Sequence, residues 1–173
     1  MKGIAQEEYD TITAFLFSLG FFSEIFLIIL VIALIHRQSI DLIIYLLFLW
    51  INGHTNRWLK DLIQQRRPTN PIKFLESEHF DKKKVAFGMP SGHSQNVFFS
   101  VTYLFLFFGS MNRWIYLALF IALLMLIERW CFHNHTVAQL IMGATIGSGI
   151  AWIAYEVKKY WSYYSSSLIF GAK

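Results

Sequence analysis

Apolar residues in this chain come in long blocks separated by short polar punctuation, without the alternation of a half-buried strand. A helix needs roughly 20 apolar residues to cross about 30 Å of hydrocarbon. The first block predicts a helix from about Thr11 to Ile35. The second begins near Ile40 and is apolar through Ile51. It then turns polar at Asn52, His54, Asn56, Arg57 and Lys60 while keeping helix-compatible residues up to Arg67. Three more blocks run from Ser91 to near Gly109, from about Arg113 to Trp130, and from about Thr136 to Tyr155. The pattern predicts an all-α integral membrane bundle of about five transmembrane helices, with chain ends on opposite sides. It forms one domain over residues 1–173, with its core at about 40–157.

Upstream of the first block, Glu7, Glu8 and Asp10 outweigh Lys2. That is the wrong charge for a signal peptide, and no small-residue cleavage pattern follows, so the segment is expected to be retained. The longest connection, residues 68–90, mixes Phe74, Phe80 and Phe87 with Lys73, Lys82, Lys83 and Lys84. It reads either as an interfacial loop lying among lipid headgroups or as a plain basic loop. The motif face carries more Lys and Arg than the opposite one, but some serve the candidate chemistry and several acids sit among them, so the charge rule leaves orientation open. The non-cytosolic face is the working assignment for the site.

Composition agrees with the blocks. Of 173 residues, 55% are hydrophobic and only 15% charged, where a soluble domain carries about a quarter. The formal net charge of +4 suits an anionic partner. The cations cluster between Arg57 and Lys84 beside a hydrophobic bundle, which disfavours nucleic acid. The single cysteine, Cys131, cannot form an internal disulfide.

Three strings carry candidate chemistry, and each sits at the end of an apolar block. Lys60-x6-Arg67-Pro68 closes the second. Asn56, Lys60, Gln64 and Arg67 follow helical spacing and should share one face until Pro68 stops the helix. Pro90-Ser91-Gly92-His93 opens the third block. Ser91 is a natural N-cap, Gly92 admits a ligand close to the backbone, and free N–H groups at a helix start favour phosphate. Arg129-x5-His135 spans the turn between the fourth and fifth, with Gln139 four residues beyond on the same face as His135. The Gln139 carbonyl can accept the Nδ1–H of His135 and leave Nε2 free.

Each string alone has a bland alternative: a snorkelling cationic cuff, an ordinary capped helix, a bridging His135 or His133. Jointly they place three fixed cations and two imidazoles at one membrane surface. Fixed cations stabilise a phosphoryl group, and paired imidazoles can attack it and protonate what leaves.

The three strings resemble the motifs of the type 2 phosphatidic acid phosphatase family, which shares its core with the vanadium haloperoxidases. The likeness covers roughly Asn52 to Gly149. The first two motifs are intact, whereas the third departs from the family pattern at Glu128, normally a small hydroxyl residue, and at Gln139, normally Asp. A carboxylate at position 128 repels phosphate unless Arg129 or Lys60 holds it. The strings Gly88 to Gln95 and His135-Thr136-x2-Gln139 are similar to the dolichyl-diphosphatase branch, which also carries Gln there.

The resemblance implies that His135 is the nucleophile and forms a phosphohistidine, while His93 is the general acid. Gln139 orients His135, and Lys60, Arg67, Ser91, Gly92 and Arg129 bind phosphate. No metal or cofactor is expected, since the fixed cations take that place and Glu76, Glu78 and Asp81 are too scattered for magnesium. The expected partners are a lipid phosphate or diphosphate and the bilayer. A polyprenyl diphosphate is favoured, with phosphatidic acid or a related monophosphate as the alternative. A lipid-binding protein with impaired catalysis is the second class, and a small transporter the third. Glu24, deep in the first block, is expected to pair with His54 or to be protonated, with no catalytic task. Gly143, Gly147 and Gly149, with Ala144 and Ala151, read as helix-packing positions.

Overall fold

A computed structural model describes residues 13–69 and 87–170, with side chains through residue 165. The upstream acids and most of the 68–90 connection, including Glu76, Glu78 and Asp81, lie outside the described residues. The helices are α1 (Thr13–Phe21), α2 (Ser23–Ile35), α3 (Ser39–Ile63), α4 (Gly92–Phe108), α5 (Arg113–Cys131) and α6 (Val137–Phe170). The all-α expectation holds among the described residues, where the sole β feature is an isolated bridge between Arg66 and Phe87.

Helix ends follow local chemistry. Ser91 caps α4 by accepting the Ser94 N–H at 3.5 Å, and Gly109 ends the helix at φ 67°. Asn112 caps α5, its side-chain oxygen accepting from the Trp114 and Ile115 amides at 2.9 and 3.2 Å. These two helices match the expected blocks closely. The first block does not form one rod: the chain bends by 65° between α1 and α2. The bend lets α1 close onto α5, where Gly20 lies beneath the Leu124 carbonyl and Phe17 meets Phe132 edge-on at 5.0 Å. Helix α2 instead runs along α4. The last block is longer than expected, since α6 continues past Tyr155.

α5 and α6 are long and apolar enough to cross a membrane, and the bent pair α1–α2 makes a third candidate span. α4 has only 17 residues, and the C-terminal half of α3 is polar, so neither meets that standard by itself. Of the five expected crossings, length and apolarity among the described residues mark two, or three with the bent pair taken as one span.

α4 is the central helix, touching α2, α3, α5 and α6. Its contact with α6 is the most extensive because Gly143 and Gly147 bring the backbones together. A Cβ on Gly143 would sit 2.5 Å from the Ser91 carbonyl oxygen, and one on Gly147 would overlap the Gln95 carbonyl. Gly149 meets nothing within 4 Å, so the packing expectation fails there. The apolar core gathers Leu27, Val31 and Ile35 of α2 with Tyr45, Phe99 and Tyr103. Outside, Phe15, Ile29, Ile43, Trp50, Leu123 and Trp152 are each more than half exposed. Inside, Asn52, Gln95, Glu128 and Gln139 are fully buried. Apolar outside and polar inside is the arrangement of a bundle solvated by lipid.

Candidate active site

The first string arrives differently from its expected path. α3 stops at Ile63, ahead of Pro68, because Gln64 turns to φ 53° and donates its N–H to the Lys60 carbonyl. Asn56 and Lys60 do share a face, since a Cβ on Gly92 would lie 3.2 Å from Asn56 Oδ1 and 3.8 Å from Lys60 Nζ. Gln64 leaves that face, its amide donating back to the Asp61 carbonyl. Arg67 comes from the following loop. That loop is clipped to the segment before α4, where Gly88 donates its N–H to the Gln65 carbonyl at 2.7 Å and Arg66 bridges Phe87. A backbone clip between residues 65–66 and 87–88 thus replaces the helical turn that the spacing predicted.

The second string is seated by the third. The Ser91 N–H donates to the Gln139 carbonyl at 3.1 Å, and the Ser94 hydroxyl donates to the Leu140 carbonyl at 2.7 Å. The start of α4 is thereby fastened to the start of α6. His93 follows within the first turn, with Lys60, Arg67, Arg129 and His135 as electrostatic neighbours. All the expected site positions therefore converge at one end of the bundle. A cavity of about 580 Å³ opens beside them, lined by Arg57, Lys60, Asp61 and Phe87.

Arg129 ends α5 almost fully buried, and its Nε lies 2.9 Å from Glu128 Oε2. The neighbouring carboxylate is thus held by Arg129, as its compatibility with phosphate requires. The Arg129 guanidinium also lies 5.1 Å over the Phe21 ring of α1.

His135 is buried in the α5–α6 turn, with its Nδ1 3.1 Å from Gln139 Oε1. Three further bonds settle the amide's orientation. Oε1 accepts the Thr136 N–H at 3.2 Å, while Nε2 donates to Gln65 Oε1 at 3.2 Å and to the Arg66 carbonyl at 2.9 Å. An oxygen that already accepts a backbone N–H can only accept from the imidazole as well. Nδ1 therefore carries the proton, and Nε2 keeps its lone pair.

Burial first, and then the Arg67 cation with smaller contributions from Lys60 and Arg129, lowers the His135 pKa to about 3, opposed by its bond to Gln139. An unfolded imidazole titrates near pH ~6.5. Below that value the unfolded chain takes up a proton that the folded site refuses, so stability falls with pH until about 3. Thermal melting in detergent from pH 7 to 4 should show this slope, and His135→Gln should flatten it. An unchanged slope in that variant removes His135 as its source.

With this geometry in view, comparison with known proteins is decisive. The family model described as PAP2 superfamily matches residues 41–163. The chain belongs to the PAP2 superfamily. It is also similar to lipid phosphate phosphatase gamma of Arabidopsis thaliana, with 31% identity over 128 residues. The match covers 67% of this chain and 54% of that relative, so the chain spans about half the length of the curated protein it matches. No solved structure matches.

Several positions around the site lie outside the fixed residues of the three motifs and were given no role. Gly88 is one: a Cβ there would fall 2.7 Å from Gln139 Oε1 and 2.8 Å from Arg67 Cγ. Gln65 and the Arg66 carbonyl are others, because they complete the Gln139 amide. Their sequence signal was faint, although a glycine two residues before a motif proline could have suggested close backbone approach. The expected Glu24–His54 pairing does not form. His54 Nδ1 bonds the Trp50 carbonyl within its own helix, while Glu24 accepts from Asn96 and faces His93. Among the described residues no group of three His, Cys, Asp or Glu side chains is placed to hold a metal ion.

Proposed function

We propose that this member of the PAP2 superfamily hydrolyses the phosphate group of a membrane lipid through a phosphohistidine. The observation carrying this reading is the His135–Gln139 tautomer lock, with Lys60, Arg67 and Arg129 around it. His135 Nε2 attacks phosphorus in line, and the bond from phosphorus to the leaving oxygen breaks. His93 gives that oxygen its proton. Water then attacks the phosphohistidine, returns a proton to His93 and releases inorganic phosphate. The three cations, Ser91 and the amides near Gly92 neutralise the phosphoryl oxygens as charge builds. The membrane is the natural source of substrate, because apolar residues surround the bundle while the polar cluster gathers at its end.

For the finer substrate, an isoprenoid diphosphate is the first reading, supported by the Gly88-to-Gln95 string and by Gln139 in place of Asp. The similarity to lipid phosphate phosphatase gamma equally supports a diacylglycerol-type monophosphate as the second. Phosphate release from a panel of isoprenoid diphosphates and phosphatidic acid, in detergent with chelator, separates them. Faster release from the diphosphates is expected; the reverse order favours the second reading, and release from none sinks both.

Gln139→Ala is expected to lower kcat by about 10- to 100-fold with KM nearly unchanged, the scale of a group that orients a reacting one. Wild-type kcat in that variant removes Gln139 from the mechanism.

A further inference from the structure

Glu24 sits one residue after the start of α2, where a carboxylate has no packing value. It is nevertheless held in place. Asn96 Nδ2 donates to Glu24 Oε1 at 2.8 Å, and Asn52 Nδ2 donates to Asn96 Oδ1 at 2.6 Å. Gln95 Nε2 donates to the side-chain and backbone oxygens of Asn52, each at 2.9 Å. Asn56 Nδ2 closes the chain by donating to Gln95 Oε1 at 2.8 Å and to the Pro90 carbonyl at 3.2 Å. Four amide side chains from α3 and α4 thus tie Glu24 to the same turn that presents His93. The other carboxylate oxygen, Oε2, lies 4.0 Å from His93 Nε2.

Among the described residues, every other charged or titratable neighbour of His93 is cationic or an imidazole: Lys60 in the last turn of α3, Arg67 in the loop after it, Arg129 on α5, and His135 before α6. Glu128, the carboxylate beside Arg129, is engaged with that arginine. A general acid ringed by cations loses its proton too readily and needs an anionic neighbour. Glu24 is the carboxylate placed to be that neighbour.

We infer that Glu24 is the positioning residue for His93, holding its imidazole in place and keeping on it the proton that the leaving oxygen takes. This rests on the lipid-phosphatase reading. Glu24 exchanges no proton with substrate. When His93 gives its proton to the leaving oxygen it becomes neutral, and it is charged again by the proton from the attacking water.

The test compares two monoesters on the full-length protein in detergent. An alkyl lipid phosphate has an alkoxide leaving group that needs a proton, whereas 4-nitrophenyl phosphate has one that leaves without it. Glu24→Gln should lower kcat/KM, which reports the step in which the leaving group departs, about 10-fold on the alkyl ester and less than 2-fold on the nitrophenyl ester. His93→Ala should show the same selectivity in kcat/KM with a larger loss on the alkyl ester. Glu24→Asp keeps the charge and should lose less than Glu24→Gln with the same preference; it takes over the test where Gln does not fold. Equal losses on both esters, or no loss on the alkyl ester, overturn the inference while the phosphatase reading stands. A wild-type protein that turns over neither ester overturns both.

Discussion

Replacing His135 with Ala is expected to abolish turnover, by on the order of 10⁴-fold or more, while inorganic phosphate still binds. The two outcomes separate because nucleophile and anion cage are different groups. Lys60, Arg67 and Arg129 remain when the imidazole is removed, and on the proposed reading their charges still attract phosphate. His135 cannot be replaced by a neighbour. His93 faces Glu24, and the proton arrangement that frees an Nε2 lone pair depends on the Gln139 amide, which among the imidazoles of the described residues bonds His135 alone. The measurements are phosphate release from a lipid phosphate, covalent capture of radiolabelled phosphate, and product inhibition by phosphate. The variant should lose the first two and keep the third. Residual turnover within about tenfold of wild type makes His135 a binding group and ends the phosphohistidine route.

Much of this arrangement was legible in the chain because the chemistry is concentrated where helices end. Apolar blocks marked α4 and α5 nearly to the residue, since Ser91, Gly109 and Asn112 are strong local signals. The spacing of His135 and Gln139 anticipated their bond but not its geometry: His135 lies in the turn before α6, and Gln139 reaches back to it from the first helical turn, where it also accepts the Thr136 N–H. What escaped was long-range. No local signal tells α3 to stop at Gln64, because the cause is the clip to Gly88 and the claim of Gln139 on the Arg66 carbonyl. The bend between α1 and α2 was likewise missed, although Gly20, Ser23 and Glu24 interrupt the apolar block beside it. It is also what lets Gly20 of α1 meet α5 while Glu24 of α2 faces His93. Apolar residues fix where a helix can lie in lipid, but the buried amides Asn52, Asn56 and Gln95 decide how the helices register against one another.

That division of labour makes a remote glycine as consequential as a catalytic group. Gly147→Ala is expected to destabilise the protein and to lower activity, although position 147 lies two helical turns beyond Gln139 and away from the phosphate cage. The added Cβ would overlap the Gln95 carbonyl, and the obstacle is backbone rather than a side chain that can swing aside. α4 and α6 must therefore separate. Overpacking of this kind costs about 1–3 kcal/mol, or roughly 3–10 °C in Tm for a chain of this size. The displaced residue is also the middle of the amide chain, holding Asn52 and accepting from Asn56. Moving it disturbs the Pro90 turn and, through Asn52 and Asn96, the Glu24 carboxylate. Gly149→Ala is the matched control on the same helix, with nothing within 4 Å of the new methyl. It should be neutral or stabilising by about 0.5–1 kcal/mol, the helix preference of Ala over Gly. Melting and lipid-phosphate turnover measured side by side decide the matter: equal behaviour of the two variants refutes the claim that the α4–α6 contact sets the register of the site.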